Sequence, residues 1–380
     1  MKMNLPREWQ VVELGDIFFF EKKSTLKASE GKEYGKYKFF TSSDKQTKFI
    51  DSPIFNGEYL IFSTGGKAGV HYCFKKFSAS TDCLVVKVNT KILPKYVYYF
   101  LRKNIHLLDA GFQGAGLKHI SKNYIKKIEI LFPKNILIQQ KIVTILDKAE
   151  KAKEMRIEAD KLTKNFLNAV FLEMFGDIKK YPIQKLESLC SKISSGSTPL
   201  GGNANYSKDG GILFIRSQNV LMNKFSDHEN LYISNETHEK MKRTWVKKND
   251  VLLNITGASI GRTAVYLGDD DKANVNQHVC IIRIKNFKEL NPIYLNYYLS
   301  SDSIQNHIKS INAGGTREAL NYNQIKNFDI RLPPINIQNK FAFIVNDIER
   351  VKNFQKQSRE HIENLFNNLM QKSFKGELAC

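Results

Sequence analysis

Six short stretches carry the residue types best suited to contacting a polyanion. Ser63-Thr64-Gly65-Gly66-Lys67-Ala68-Gly69 joins hydroxyl and ammonium donors to glycines that let the backbone come close to a phosphate. Ile255-Thr256-Gly257-Ala258-Ser259-Ile260-Gly261-Arg262 repeats that make-up later in the chain. Two Gly-rich loops add Lys118-His119 and Thr316-Arg317. Two further runs, Arg216-Ser217-Gln218-Asn219 and Asn274-Val275-Asn276-Gln277-His278, hold side chains that can read base edges. Arg pairs with guanine and Asn or Gln with adenine, each good pair being worth roughly 1–3 kcal/mol of discrimination. The same residue types also make tight turns between strands, and that reading stays open beside the first.

Covalent chemistry finds less support. Gly66-Lys67 is not a phosphate loop, because Ile61 stands where the leading glycine belongs and Ala68 replaces Ser or Thr. An Asn/Asp-Pro-Pro-aromatic methyltransferase tetrapeptide is absent; the sole Pro-Pro pair, Pro333-Pro334, precedes Ile335. No FxGxG turn follows a strand in a way that would hold S-adenosylmethionine. Asp16, Glu21 and Lys23 loosely match a nuclease metal site, and Asp269-Asp270-Asp271, between Gly268 and Lys272, reads as a solvated turn. The eight histidines lack metal-ligand spacing, although His71, His119 and His278 lie in or beside the loops above. The expectation is a chain that performs no catalysis and holds no metal or cofactor.

Composition agrees with a polyanion partner. Lys+Arg number 58 against 38 Asp+Glu, a formal charge of +20 and a pI near 9.5. A lysine-rich proteome gives the same excess. Length, 380 residues with 42% hydrophobic, allows two or three domains. Five cysteines, Cys73, Cys83, Cys190, Cys280 and Cys380, form no CxxC pair, which suggests a reducing cytoplasm and no zinc site. The opening MKMNLPREWQ has no signal core, and the run Ile17 to Phe20 is too short to span a bilayer, so no membrane contact is expected.

Two long helices must position these loops. Steps of four and three pick out Ile337, Phe341, Ile344, Ile348, Val351, Gln355, Ser358, Ile362, Leu365, Leu369 and Lys372. Subtracting 199 from each of these numbers except the last gives Ile138, Ile142, Ile145, Ala149, Ala152, Arg156, Ala159, Thr163, Phe166 and Val170. Two heptad seams in phase predict helices that cover each other; two amphipathic surface helices are the plainer alternative. The rest of the chain is duplicated. Trp9, Leu14 and Ile17 recur as Tyr181, Leu186 and Leu189; Thr64-Gly65 and Gly69 recur as Thr256-Gly257 and Gly261; Pro94 and Tyr96 recur as Pro292 and Tyr294. The spacing grows from 172 at Trp9/Tyr181 to 200 at Pro133/Pro333, and the extra residues are assigned mostly to the stretch between Gly196 and Asn230. Strand-like runs, short helices and Gly-rich turns make each copy a mixed α/β or α+β globule. The division reads 1–134 globule, 135–176 helix, 177–334 globule, 335–380 helix.

These features resemble the specificity subunits of Type I restriction-modification systems. Leu5-Pro6-Arg7-Glu8-Trp9 with Leu14-Gly15-Asp16-Ile17 is similar to that family's opening to a target-recognition domain. Ser195-Gly196-Ser197-Thr198-Pro199 and the block from Asp250-Val251-Leu252-Leu253 to Gly261-Arg262 resemble its interior. Phe171-Leu172-Glu173-Met174-Phe175-Gly176-Asp177 and Leu369-Met370-Gln371-Lys372-Ser373-Phe374-Lys375-Gly376-Glu377-Leu378 resemble its helix ends. The first copy lacks the Ser-Gly-Ser-Thr-Pro element. The resemblance implies two target-recognition domains, each reading half of a bipartite, asymmetric site in double-stranded DNA, with the helices paired antiparallel as a spacer. It implies two methyltransferase subunits as partners, bringing S-adenosylmethionine, and restriction subunits bringing ATP and magnesium. A magnesium-dependent nuclease and a stand-alone two-headed nucleic-acid binder remain the other readings.

Overall fold

The computed structural model describes residues 8–114, 116, 118–176, 178–199, 206–312 and 319–378. Two compact units emerge: Met1–Ala159 with Gln355–Cys380, and Asp160–Phe354. Both long helices contribute one part to each unit. None of the helices among the described residues is long and apolar enough to cross a membrane.

The strands of the first unit are β1 (Trp9–Glu13), β2 (Phe18–Phe20), β3 (Tyr37–Phe40), β4 (Lys48–Ile50), β5 (Tyr59–Ser63), β6 (Val70–Cys73), β7 (Phe77–Ala79), β8 (Cys83–Val88) and β9 (Glu129–Pro133). They form a four-stranded sheet in the order β2-β8-β5-β6, a three-stranded sheet β4-β3-β7 with β3 and β7 parallel, and an antiparallel pair β1-β9. Every residue of β5 is buried. Alternation explains how: Leu60 and Phe62 enter the core shared with helix Pro94–Lys103, while Tyr59 and Ile61 enter a second core with Phe40 and Phe77.

The second unit repeats the plan with β10 (Ile183–Lys185), β11 (Cys190–Ser195), β12 (Ile212–Ile215), β13 (Val220–Leu221), β14 (Lys224–Phe225), β15 (Leu231–Ile233), β16 (Val251–Asn254), β17 (Thr263–Val265), β18 (Ala273–Val275), β19 (Val279–Ile284) and β20 (Asp329–Arg331). Its sheets run β11-β19-β16-β17, β15-β12-β18 and β10-β20, with β12 and β18 parallel, plus the hairpin β13-β14. Val251 and Leu253 face one core and Leu252 the other, as in β5.

Strand register corrects the placing of the extra residues. Equivalent positions are 175 apart at Tyr37/Ile212, 183 apart at Ile50/Ile233 and 191 apart at Gly65/Thr256. The additions are therefore spread along the unit. Hairpin β13-β14 lies before β15, and helix Asn235–Lys240 lies between β15 and β16. The same register makes Gly65, not Thr64, the counterpart of Thr256.

The long helices are Ile136–Phe175 and Ile335–Lys375. Within the first unit they run antiparallel: Lys153 bonds Glu363 at 2.8 Å, and Ile142, Leu146 and Ala149 share a core with Phe366 and Met370. Within the second unit, Leu167, Val170 and Phe175 share a core with Phe341 and Val345. The expected seam is half correct. Ile142 and Phe341 are fully buried, while Ile348, Ile362 and Leu369 are half-buried. The other column lies one residue later. Gln139, Leu146 and Leu167 are buried where Ile138, Ile145 and Phe166 were expected; Ile138 and Ile145 are half-buried and Phe166 is exposed. Gln338, Val345 and Phe366 likewise replace Ile337, Ile344 and Leu365, and Val351 is exposed.

Two adjacent apolar columns are present because each helix must cover a head as well as its partner, and periodicity alone does not choose between them. The choice follows two glutamines. Gln139 donates to the Pro133 carbonyl at 2.9 Å and accepts from the Leu93 amide at 2.8 Å; Gln338 does the same with Pro333 at 2.7 Å and Asn291 at 2.9 Å. Each joins a long helix to the start of an aromatic helix, Pro94–Lys103 or Pro292–Leu299.

Substitution separates the two columns. Phe366→Ala is expected to cost about 3–5 kcal/mol and Leu365→Ala no more than about 0.5 kcal/mol, read as shifts in a urea unfolding curve. The opposite ranking would contradict this register.

Candidate nucleic-acid interface

In the first unit the turn between β5 and β6 meets the loop before helix Lys122–Lys126. Gly65 bridges His119, the Ile120 amide donates to the Thr64 carbonyl at 3.0 Å, and the Gly66 amide donates to the Lys118 carbonyl at 3.3 Å. Gly66 has φ +79°, which suits glycine, and a Cβ on Gly65 would press on the His119 ring at 3.1 Å. The fold thus brings Thr64, Gly65, Gly66, Lys67, Lys118 and His119 together. Lys67, Lys118 and His119 are exposed. Ser63 is corrected: it is 2% exposed, and its hydroxyl donates to the Ser43 carbonyl at 3.0 Å. His71 is spent in the same way on the Ser43 carbonyl at 2.8 Å, and burial holds its pKa below the usual histidine value.

The second unit builds a matching junction. Thr256 bridges Ala319, and the Leu320 amide donates to the Ile255 carbonyl at 2.8 Å. Gln277 donates its amide to His278 Nε2 at 3.0 Å, so Nδ1 carries the proton it gives to the Thr256 hydroxyl at 2.6 Å. Thr198 donates to the Gln277 carbonyl oxygen, which ties the Ser-Gly-Ser-Thr-Pro segment to the same surface. Gly196 is required there, since a Cβ would overlap the Val275 carbonyl oxygen. Gly257 and Gln277 are exposed, and Ser259, Arg262 and His278 half-buried. Thr316 and Arg317 lie outside the described residues.

Arg216, Ser217 and Gln218 adjoin this surface, because the Asn276 amide donates to the Ile215 carbonyl at 2.9 Å. Two expected base readers are corrected. Asn219 is fully buried; its amide donates to the Ser226 carbonyl at 3.1 Å and to Asn230 Oδ1 at 3.2 Å, and its oxygen accepts from the Arg216 amide at 3.0 Å. Asn276 is 9% exposed, and its side-chain oxygen accepts from the His278 amide at 3.0 Å. Both are buried and hold loops in shape through bonds within the chain.

Sequence reasoning missed the residues that fix these turns. Ser42 Oγ accepts from the Gly65 amide at 2.7 Å and donates to its carbonyl at 2.8 Å. Buried Asn254 donates to the Ser217 and Val220 carbonyls at 2.8 and 3.1 Å. Tyr322 OH meets the Ser195 amide at 3.0 Å and its hydroxyl at 2.5 Å. The only available signal was the polar run Thr41-Ser42-Ser43-Asp44 directly after Phe39-Phe40. Asp250, immediately before β16, is 1% exposed and takes two bonds from Arg283, at 2.7 and 2.8 Å. Of the nuclease candidates, Glu21 lies 3.5 Å from the Lys87 ammonium and Asp16 is exposed. Among the described residues no group of three His, Cys, Asp or Glu is placed to hold a metal ion.

The family model for the Type I restriction modification DNA specificity domain matches residues 6–164 and again residues 179–364. The chain belongs to that family. The Type I restriction enzyme EcoBI specificity subunit of Escherichia coli is 25% identical over 330 residues, covering 78% of this chain and 68% of that one. The MjaVIII specificity subunit of Methanocaldococcus jannaschii is 22% identical over 409 residues, covering 99% and 94%. The S subunit structure from M. genitalium shares the fold at a TM-score of 0.65 and 15% identity, with 98% of each chain covered. The two matches of the family model fall one on each head, so the repeat read from the sequence is a repeat of the specificity domain.

Buried and exposed polar residues are expected to behave differently. Asn219→Ala leaves several buried groups unpaired and is expected to cost about 1–3 kcal/mol in urea unfolding. Gln277→Ala is expected to leave unfolding unchanged within about 0.5 kcal/mol. Equal effects of the two would mean that Asn219 is not a structural bond-maker.

Proposed function

We propose that this specificity subunit reads a bipartite, asymmetric site in double-stranded DNA, one half through each unit, and carries no active site of its own. The observation that carries this reading is the duplicated junction, a Gly-containing turn cross-bridged to the loop that precedes the last strand, at Gly65/His119 and at Thr256/Ala319. Lys67 and Lys118 around the first turn and Arg262, Arg216 and Gln218 around the second supply donors for phosphates and base edges. The net charge of +20 favours the encounter at any sequence, and the differing loop residues let the halves differ.

The long helices, 40 and 41 residues, each span about 60 Å at ~1.5 Å per residue. They serve as the spacer that sets the gap between half-sites and as the surface on which two methyltransferase subunits, and restriction subunits where present, assemble. S-adenosylmethionine, ATP and magnesium belong to those partners. Work in the cytoplasm follows from a partnership with DNA and from cysteines left as thiols, Cys73, Cys83, Cys190 and Cys280.

Replacing residues 1–134 by another recognition domain is expected to change one half of the methylated motif and leave the other half intact, as read by sequencing modified DNA. A change in both halves would refute modular reading. Adding one heptad to each long helix lengthens it by about 10 Å, and the gap in the motif is expected to widen by about three base pairs. An unchanged gap would remove the spacer role.

A further inference from the structure

Behind Arg216 the second unit opens a cleft of about 600 Å³, lined by Lys208, Arg216, Asp227, Glu229, Asn230 and Tyr232 among others. It occupies one end of the β15-β12-β18 sheet, where Arg216 follows β12 directly. The loop from Asp227 to Asn230 belongs to the connection that carries hairpin β13-β14, and the three-stranded sheet of the first unit has no counterpart to that hairpin.

The polar groups in this cleft are arranged around Glu229. Its backbone carbonyl accepts from Arg216 Nη2 at 2.7 Å, and its carboxylate Oε2 accepts from the Gln218 amide at 3.2 Å. Glu229 is exposed and sits at φ +54°, a conformation that L side chains rarely adopt. The result is one residue whose backbone carbonyl is held by the Arg216 guanidinium and whose carboxylate is held by Gln218, at an open cleft next to the loops assigned to DNA.

A carboxylate is the wrong group to place against phosphates, which it repels. What it can accept is the exocyclic amine of a base, and the usual partner is cytosine N4. A guanidinium beside it donates to the O6/N7 edge of guanine. Together the two match the major-groove edge of one G·C pair, donor to guanine and acceptor to cytosine. We propose that Glu229 and Arg216 read one G·C pair in the half-site of the second unit, Glu229 accepting from the cytosine amine and Arg216 donating to the guanine. Gln218 is a positioning residue that holds the carboxylate. This assignment rests on the reading that the second unit binds double-stranded DNA.

The test uses the full chain assembled with its methyltransferase subunits, and a panel of duplexes in which each base pair of that half-site is replaced in turn. Wild type is expected to lose about tenfold or more in affinity at one G·C position, the size of one good base contact. Glu229→Ala, which removes the acceptor, is expected to lose that discrimination while the other positions and the salt dependence stay as they were. Replacing the cytosine at that position by a pyrimidin-2-one, which lacks the amine, is expected to weaken wild type and to leave Glu229→Ala indifferent. Arg216→Lys provides a second variant and is expected to relax the same position. Discrimination by Glu229→Ala equal to wild type at every position, or equal sensitivity of both proteins to the missing amine, overturns the proposal. A wild-type complex that shows no preference at any position of the half-site would instead overturn the functional reading on which the proposal rests.

Discussion

The structure depends on two aromatic plugs, each closing a head with side chains from the end of a long helix. In the second unit, Phe171 and Phe175 at the end of the central helix pack on Phe341 at 5.3 and 5.5 Å, and on Tyr294 at 6.3 and 5.0 Å. In the first unit, Phe374 at the end of the C-terminal helix lies 5.3 Å from Tyr96 and 5.5 Å from Phe100, edge to face. Fully burying one Phe is worth about 1.5–3 kcal/mol, with more from favourable ring geometry. A few such residues equal a large part of the net stability of a domain. Each head therefore needs two helix ends, one from each half of the sequence. The helices are parts of the two cores, and the two compact units divide each helix for that reason.

The attachment differs between units. In the first, the Tyr99 hydroxyl lies 2.6 Å from Asp147 Oδ1 and 2.8 Å from Glu150 Oε2 with one proton to share between them, Lys95 bonds Asp147 at 2.8 Å, and Arg102 pairs with Glu150. In the second, Tyr297 packs edge to face on Phe341 at 5.1 Å. Burial and the two neighbouring carboxylates push the Tyr99 phenol above its ordinary pKa, which favours the protonated, donating form. An ionic cluster in one unit and an aromatic contact in the other perform the same fastening, which shows how far the copies have diverged while the strand order has not.

The architecture was legible because it rests on patterns that burial enforces. The repeat, the apolar runs at Tyr59–Ser63 and Val251–Asn254, and the two long helices each reflect a face that must leave water. The seam was legible only to within one residue, because Ile145 and Leu146, or Leu365 and Phe366, are equally apolar. What decides between them is the docking of Gln139 and Gln338 against distant loops, and no local pattern encodes that. The site was less legible for a related reason. Asn219 and Gln218 are chemically alike, yet one is buried with its bonds made and the other is exposed. Residue type names the possible bond; tertiary structure decides whether the partner is a neighbouring loop or a ligand. Ser42, Asn254 and Tyr322, which shape the turns, are ordinary residues whose importance comes from what lies opposite them.

The central claim is that the two long helices of one chain pair antiparallel and complete each other's heads. The most direct measurement is cross-linking with a thiol-reactive bismaleimide of a chain whose native cysteines are replaced and which carries Lys153→Cys and Glu363→Cys, at the positions whose native side-chain tips meet at 2.8 Å. The account predicts a fast intramolecular cross-link, seen as a monomer of altered mobility whose formation does not depend on protein concentration. Cross-linking only between chains, with a rate that rises with concentration, would contradict it.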